Sequence, residues 1–195
     1  KRKLQRNMRK ALVVGGANGI GLSIAFQLAK QDVYEKIYIV DKVTVAKEFL
    51  NPKFESIQFD LMTEDFSIFD EFKDVDTLII TAGFGKLSLF KDVTEQYITS
   101  SFSVNTIAPM RIIHHFMDKL SGIEDFRCGV MVSIAGFMSS PFFAVYGATK
   151  AALKIFIESV NVELEKNGSN NRILNVSPGS IKGTSFNNGK TDLSI

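Results

Sequence analysis

What the chain has little of narrows it first. A single cysteine, Cys128, excludes an internal disulfide and suits a reducing, cytoplasmic setting. Besides that cysteine there are two histidines, the adjacent His114-His115. They fall in a helical pattern and are expected to pack or face solvent, so no metal is expected. No window approaches the roughly 18 consecutive apolar residues of a membrane-spanning helix, and no membrane partner is expected. Residues 1–10 are basic but lack the apolar run of a signal peptide, so they read as a solvated leader. They carry six of the positive charges, which takes the rest of the chain from the overall +2 to −4 and argues against a nucleic-acid partner. Internal repeats, low-complexity segments and interdomain linkers are also missing. Residues 11–195 therefore read as one domain, and a 45% hydrophobic composition is enough for a sizeable core.

What is present is an alternation. Short apolar runs at 11–15, 37–41, 56–60, 77–82 and 173–177, with another leading to Ser133, have the length and β-branched content of buried strands. Helical patterns lie between them. One starts at Leu22, a short one covers 64–74, a long one spans 93–119 around Pro109, and another runs from about Tyr146 to Lys166. Within 64–74, Phe66, Phe69 and Phe72 form a stripe read as core. Strands alternating with helices at this cadence specify a parallel, doubly wound sheet with helices on both faces, a three-layer α/β/α single domain. Ligands in such sheets bind outside the strand carboxyl ends. Gly15–Gly21, Asp41, Asp60, Gly83, Ser133 and Pro178-Gly179 are all placed there.

The turn after the first strand reads Gly15-x-x-x-Gly19-x-Gly21 and opens a helix. Glycines let backbone turn tightly and approach a pyrophosphate, whose charge rests on the helix N-terminal N–H groups. A plain tight turn is the bland alternative. Asp41 ends the next strand, where a carboxylate can accept from both adenosine ribose hydroxyls and repel a 2′-phosphate. That favours NAD over NADP, although the cation of Lys42 follows at once. The bland reading of Asp41 is a solvent-exposed strand end.

Tyr-x-x-x-Lys occurs twice, at Tyr38…Lys42 and at Tyr146…Lys150. The first lies in a strand, where four steps of about 3.3 Å separate the side chains by roughly 13 Å. The second enters a helix, where residues four apart are surface neighbours at about 5–6 Å. Only Tyr146 and Lys150 can act together.

These residues resemble the short-chain dehydrogenase/reductase family from residue 10 onward. The glycine turn, Asp60, Ala82-Gly83, Asn105, Ser133, Tyr146-x-x-x-Lys150 and Pro178-Gly179 match in family order. The resemblance implies a Rossmann-like NAD(P)-binding oxidoreductase that interconverts a secondary alcohol and a ketone or aldehyde. Tyr146 would be the general acid/base, with Ser133 stabilising the reacting oxygen, Lys150 holding the nicotinamide ribose and Asn105 positioning a relay water. A free phenol titrates near 10, and lowering it by two to three units requires roughly 3–4 kcal/mol, for which Lys150 and the oxidised nicotinamide are candidate sources. Cofactor contacts would come from Gly15, Asn18, Gly19, Ile20, Gly21, Asp41, Asp60, Leu61, Ala82, Gly83, Tyr146, Lys150, Pro178, Gly179, Ile181 and Thr184.

The chain departs from the family at Val14 and Thr81, where it has Thr and Asn. The Thr81 hydroxyl is expected to compensate in part. The family's Thr after Pro-Gly is matched by Thr184 one residue later than usual. The family's last helix and strand have no counterpart before Ile195. Phe84, Met138, Phe142, Phe143 and Phe186 are pocket candidates that would favour an apolar substrate. Helices near 100–117 and 148–165 are apolar on more than one side, which implies a homodimer or homotetramer. The rival reading is a dinucleotide-binding sensor or scaffold of the same fold, without turnover.

Overall fold

The structure, a computed structural model, describes residues 8–179. Six strands form one parallel sheet: β1 (Arg9–Val14), β2 (Tyr34–Asp41), β3 (Phe54–Gln58), β4 (Thr77–Ile80), β5 (Arg127–Met131) and β6 (Ile173–Val176). Their order is β3-β2-β1-β4-β5-β6, so the chain winds outward first on one side of β1 and then on the other. The switch lies between β1 and β4, where Val14 pairs with Ile80. Crossovers that part at a switch leave a crevice beyond the strand carboxyl ends.

β1 explains why both faces must be covered. Its side chains alternate, with Leu12 and Val14 entering the core on one face and Ala11 and Val13 that on the other. All four are 0% exposed. The first face packs against α3 (Ala108–His115) and α5 (Ala144–Lys166) through Ile112, Ile113, Leu153 and Ile157. The second packs against α1 (Gly19–Ala29) through Leu22 and Ala25. This is the doubly wound α/β/α sandwich that the strand–helix cadence implies.

Two segments differ from their sequence reading. The phenylalanine stripe lies not on an α-helix but on a 3₁₀ turn, Ser67–Phe72. Three residues per turn is the spacing of that helix, so Phe69 and Phe72 align on one face and both are buried. Phe66 precedes the turn and meets Phe59 edge-on at 5.5 Å. The long pattern at 93–119 is divided into α2 (Glu95–Phe102), a π-helical turn (Ser103–Ile107), α3 and α4 (Met117–Ser121). Pro109 has no N–H for the carbonyl four residues earlier, that of Asn105. The ladder there runs in π register, and Pro109 opens α3 rather than interrupting it.

His115 stays with its packing role, its Nδ1 2.9 Å from Asp70 Oδ1. No helix among the described residues is long and apolar enough to cross a membrane, and no cluster of metal-ligating side chains is found among them.

Candidate active site

The glycine turn is built by two close approaches. Gly15 has φ +81°, and a Cβ there would lie 2.4 Å from the Ala82 nitrogen. A Cβ on Gly21 would lie 2.2 Å from the Gly15 carbonyl oxygen and 2.5 Å from Thr81 Oγ1. Only glycine lets the start of α1 lie this close to the turn and to the end of β4. The Thr81 hydroxyl stands at that junction, 3.1 Å from the Val14 carbonyl and 3.0 Å from that of Gly15. It ties β4 to the turn, as expected of a side chain that replaces lost ordering groups.

α1 begins with no side-chain cap and no acid in its first turn. Gly19, Ile20 and Gly21 line a cavity of about 900 Å³, at the upper end of the range for ligand pockets. At the end of β2, Asp41 faces the same cavity, and its Oδ2 accepts from Ala17 N at 3.0 Å. The carboxylate is thus aimed across the turn rather than into solvent. Asp60 lines the cavity beside Leu61, and its Oδ1 accepts from Met62 N at 2.9 Å.

From the far side come Ser133, after β5, and Tyr146 and Lys150, on successive turns of α5. The pair at residues 146 and 150 lies on a helix, with the Lys150 ammonium 5.8 Å from the Tyr146 ring centroid. Burial drives both groups toward their neutral forms. The Tyr146 phenol is pushed above its ordinary value by burial, while a hydrogen bond with Ser133 pulls the other way. The Lys150 ammonium, 3% exposed, is pulled down to about 8. One of its N–H donors is spent on the Met131 carbonyl at 3.0 Å. Desolvation outweighs the Ser133 bond, so burial raises the phenol rather than lowering it.

Asn105 stands apart. Its side chain is 0% exposed and does not line the cavity. Its Oδ1 accepts from Phe84 N at 3.0 Å, and its Nδ2 donates to the Phe84 carbonyl at 2.8 Å and to Thr149 Oγ1 at 3.2 Å. Thr149 Oγ1 in turn donates to the Tyr146 carbonyl at 2.7 Å. The amide thus clamps the loop after β4 to the helix that carries Tyr146.

The cavity brings together Gly15, Asn18, Gly19, Ile20, Gly21, Asp41, Asp60, Leu61, Ala82, Gly83, Ser133, Tyr146, Lys150, Pro178 and Gly179. Ile181, Thr184 and Phe186 lie outside the described residues. Of the aromatic and apolar candidates, Phe84, Met138 and Phe143 line the cavity. Phe142 does not. It has φ +65°, and its carbonyl accepts from Ser88 N at 3.0 Å. Ser139 and Ser140, in the 134–145 connection that the sequence places toward the substrate, line the cavity, and so do Lys86, Leu87, Ser100 and Val104, which sequence reasoning missed. Lys86 and Leu87 follow a strand carboxyl end, a position that could have found them. Ser100 and Val104 are four apart on a helical pattern, and nothing local marks which face meets the cavity.

Solved structures of the same fold are similar at low identity. An alcohol dehydrogenase from the archaeon Thermococcus sibiricus, complexed with 5-hydroxy-NADP, superposes with a TM-score of 0.77 at 24% identity. The match covers 94% of this chain and 80% of that one. The bulky-bulky ketone specific alcohol dehydrogenase from Comamonas testosteroni gives 0.77 at 24% identity, over 89% and 74% of the two chains. A short-chain dehydrogenase from Sphingobium yanoikuyae in complex with NADPH gives 0.76 at 22% identity, over 89% and 72%. Among curated proteins, none matches. The sequence profile of the short chain dehydrogenase family matches residues 9–193. With that span covering the strands, the glycine turn and the Tyr146–Lys150 helix, the chain belongs to the short-chain dehydrogenase family.

Proposed function

We propose that the chain is an NAD-dependent oxidoreductase that interconverts a secondary alcohol and its ketone, with Tyr146 as general acid/base. The observation that carries this reading is the meeting, in one cavity, of a glycine turn, Asp41 and the Ser133–Tyr146–Lys150 group. The residues fit a dinucleotide. The first turn of α1 offers uncapped N–H donors to a pyrophosphate, and a Cβ at Gly19 would meet nothing within 4 Å. Asp41 favours a free 2′-hydroxyl over a phosphate, and this supports NAD, whereas some of the similar structures hold NADP or NADPH.

When bound, the dinucleotide supplies or accepts the hydride. In the reducing direction negative charge would develop on the substrate's carbonyl oxygen. Tyr146 gives that oxygen its phenolic proton, and Ser133 donates a hydrogen bond to the developing alkoxide. Lys150, one helical turn away, stabilises the phenolate left behind. In the oxidising direction the same steps reverse, and Tyr146 must first lose its proton. Asn105 acts as a positioning residue, holding Phe84 against the helix of Tyr146. Phe84, Met138 and Phe143 favour an apolar substrate. Following NADH absorbance with a panel of ketones and alcohols tests the reading.

The chain is also proposed to self-associate through α3 and α5. Ile107, Ile155 and Val162 lie on or beside them and are 48%, 58% and 50% exposed. Light scattering should report a dimer or tetramer, and a monomer would contradict this.

A further inference from the structure

Charge is distributed unevenly along the cavity. Of the two acids that line it, Asp41 ends β2 and Asp60 follows β3, on the glycine-turn side of the sheet. The lining cations are Lys42, next to Asp41, Lys150 on α5, and Lys86 in the loop after β4; neither that loop nor the connection from Ser133 to Tyr146 contributes an acid to the lining.

Lys86 is set in a pinned span. Two residues before it, Phe84 is held through its N–H and its carbonyl by Asn105. Two residues after it, Ser88 N donates to the Phe142 carbonyl at 3.0 Å. Phe142 pays for that bond with a left-handed backbone at φ +65°, a conformation a phenylalanine rarely adopts. The bond fastens the 84–88 loop to the connection that carries Met138, Ser139, Ser140 and Phe143. Ser139 and Ser140 line the same cavity. Lys86 has no acid within ion-pair distance among the described residues, whereas Lys10, Lys36 and Lys154 each have one. Lys86 is exposed, and Phe84, Leu87, Met138 and Phe143 line the same cavity.

We propose that this end of the cavity accepts an anion: Lys86, with the hydroxyls of Ser139 and Ser140, holds a carboxylate on the far side of the substrate's apolar body. The substrate class is then a keto acid and its hydroxy acid. This deepens, and rests on, the reading of Tyr146 as the acid that protonates the substrate carbonyl. Lys86 sets specificity and takes no part in the proton transfer.

The test uses a matched pair, a phenyl-substituted methyl ketone and the same ketone bearing a ring carboxylate, together with the corresponding alcohols. Reduction is followed with wild type, Lys86→Gln and Lys86→Glu, and the alcohols are titrated calorimetrically into the protein–NAD complex. NADH fluorescence titration reports that each variant still binds dinucleotide. Wild type should prefer the carboxylate in kcat/KM by about tenfold at low salt, the size of one well-placed charge contact, with the preference shrinking as salt screens it. Lys86→Gln should remove the preference and Lys86→Glu should invert it. The same order should appear in the alcohol affinities. If wild type binds both alcohols equally, or if Lys86→Gln keeps the preference, the anion site is refuted. Selective binding of the carboxylate that depends on Lys86, with neither ketone turned over, would uphold the anion site and overturn the oxidoreductase reading instead.

Discussion

Two stretches carry a tyrosine four residues before a lysine, and the fold treats them in opposite ways. Tyr38 and Lys42 belong to β2 and the turn after it. The Tyr38 ring packs against Phe72 at 5.1 Å, partly buried against the larger core cluster. Tyr146 and Lys150 belong to α5, and both face the cavity. The difference is one of repeat. A strand spreads four residues along its length, whereas a helix stacks them on one face. It is also one of surroundings: both members of the second pair line the cavity, whereas of the first pair Lys42 lines it and Tyr38 does not.

The sharpest way to break the contrast is to remove each hydroxyl in turn. Tyr146→Phe should lower kcat by about 10²–10⁴-fold with the dinucleotide dissociation constant nearly unchanged, since general acid catalysis contributes on that scale. Because burial raises the Tyr146 phenol, wild-type alcohol oxidation should quicken as pH rises, while ketone reduction should not need high pH.

Lys150 is the next lever. Its ammonium titrates at about 8 in the fold, against an ordinary 10.5. Below pH 8 both folded and unfolded chains hold the proton, and the buried charge is a full burden. Between about 8 and 10.5 the unfolded chain holds more protons, so this group's contribution to stability improves as pH rises. Lys150→Met lacks that improvement. The stability of wild type relative to Lys150→Met should therefore rise by about 3 kcal/mol from pH 7 to 10.5, read by urea titration. A constant difference would contradict the burial argument.

Smaller effects belong to the glycine-turn side. Asp41→Ser should shift the NADP-to-NAD preference by about tenfold, roughly 1.4 kcal/mol, as the carboxylate no longer opposes a 2′-phosphate. Wild type that already prefers NADP would defeat the Asp41 argument. Thr81→Val should cost about 1 kcal/mol of stability and weaken dinucleotide binding severalfold, because it removes the donor shared by the Val14 and Gly15 carbonyls. The smallest change is Tyr38→Phe. It keeps the ring against Phe72 and should leave turnover within about twofold and stability within about 0.5 kcal/mol.

The strands and the glycine turn are legible because their signals are local, as β1 shows with its apolar run meeting glycine at once. Ser133, Tyr146 and Lys150 are legible because spacing selects them once a helix is expected. The π turn around Asn105 is not, since its apolar pattern continues through Ser103–Ile107 and only the missing N–H of Pro109 hints at a change of register. The helical pattern at 64–74 is legible, and its phenylalanines, spaced every three residues, match the 3₁₀ repeat that the fold adopts. The Ser88–Phe142 bond joins segments more than fifty residues apart, and a positive φ at a phenylalanine has no sequence signature. Hence the fastening of the Lys86 loop to the connection that carries Ser139 and Ser140 could only be seen in the fold.

The central claim is that this cavity turns over a substrate rather than merely holding a dinucleotide. The direct test is a screen of ketones and alcohols with wild type, following NADH absorbance after NADH binding has been established by fluorescence. The account predicts NADH consumption with at least one apolar ketone and its loss in Tyr146→Phe. Tight dinucleotide binding with no absorbance change for any ketone or alcohol would contradict it and favour a sensor or scaffold.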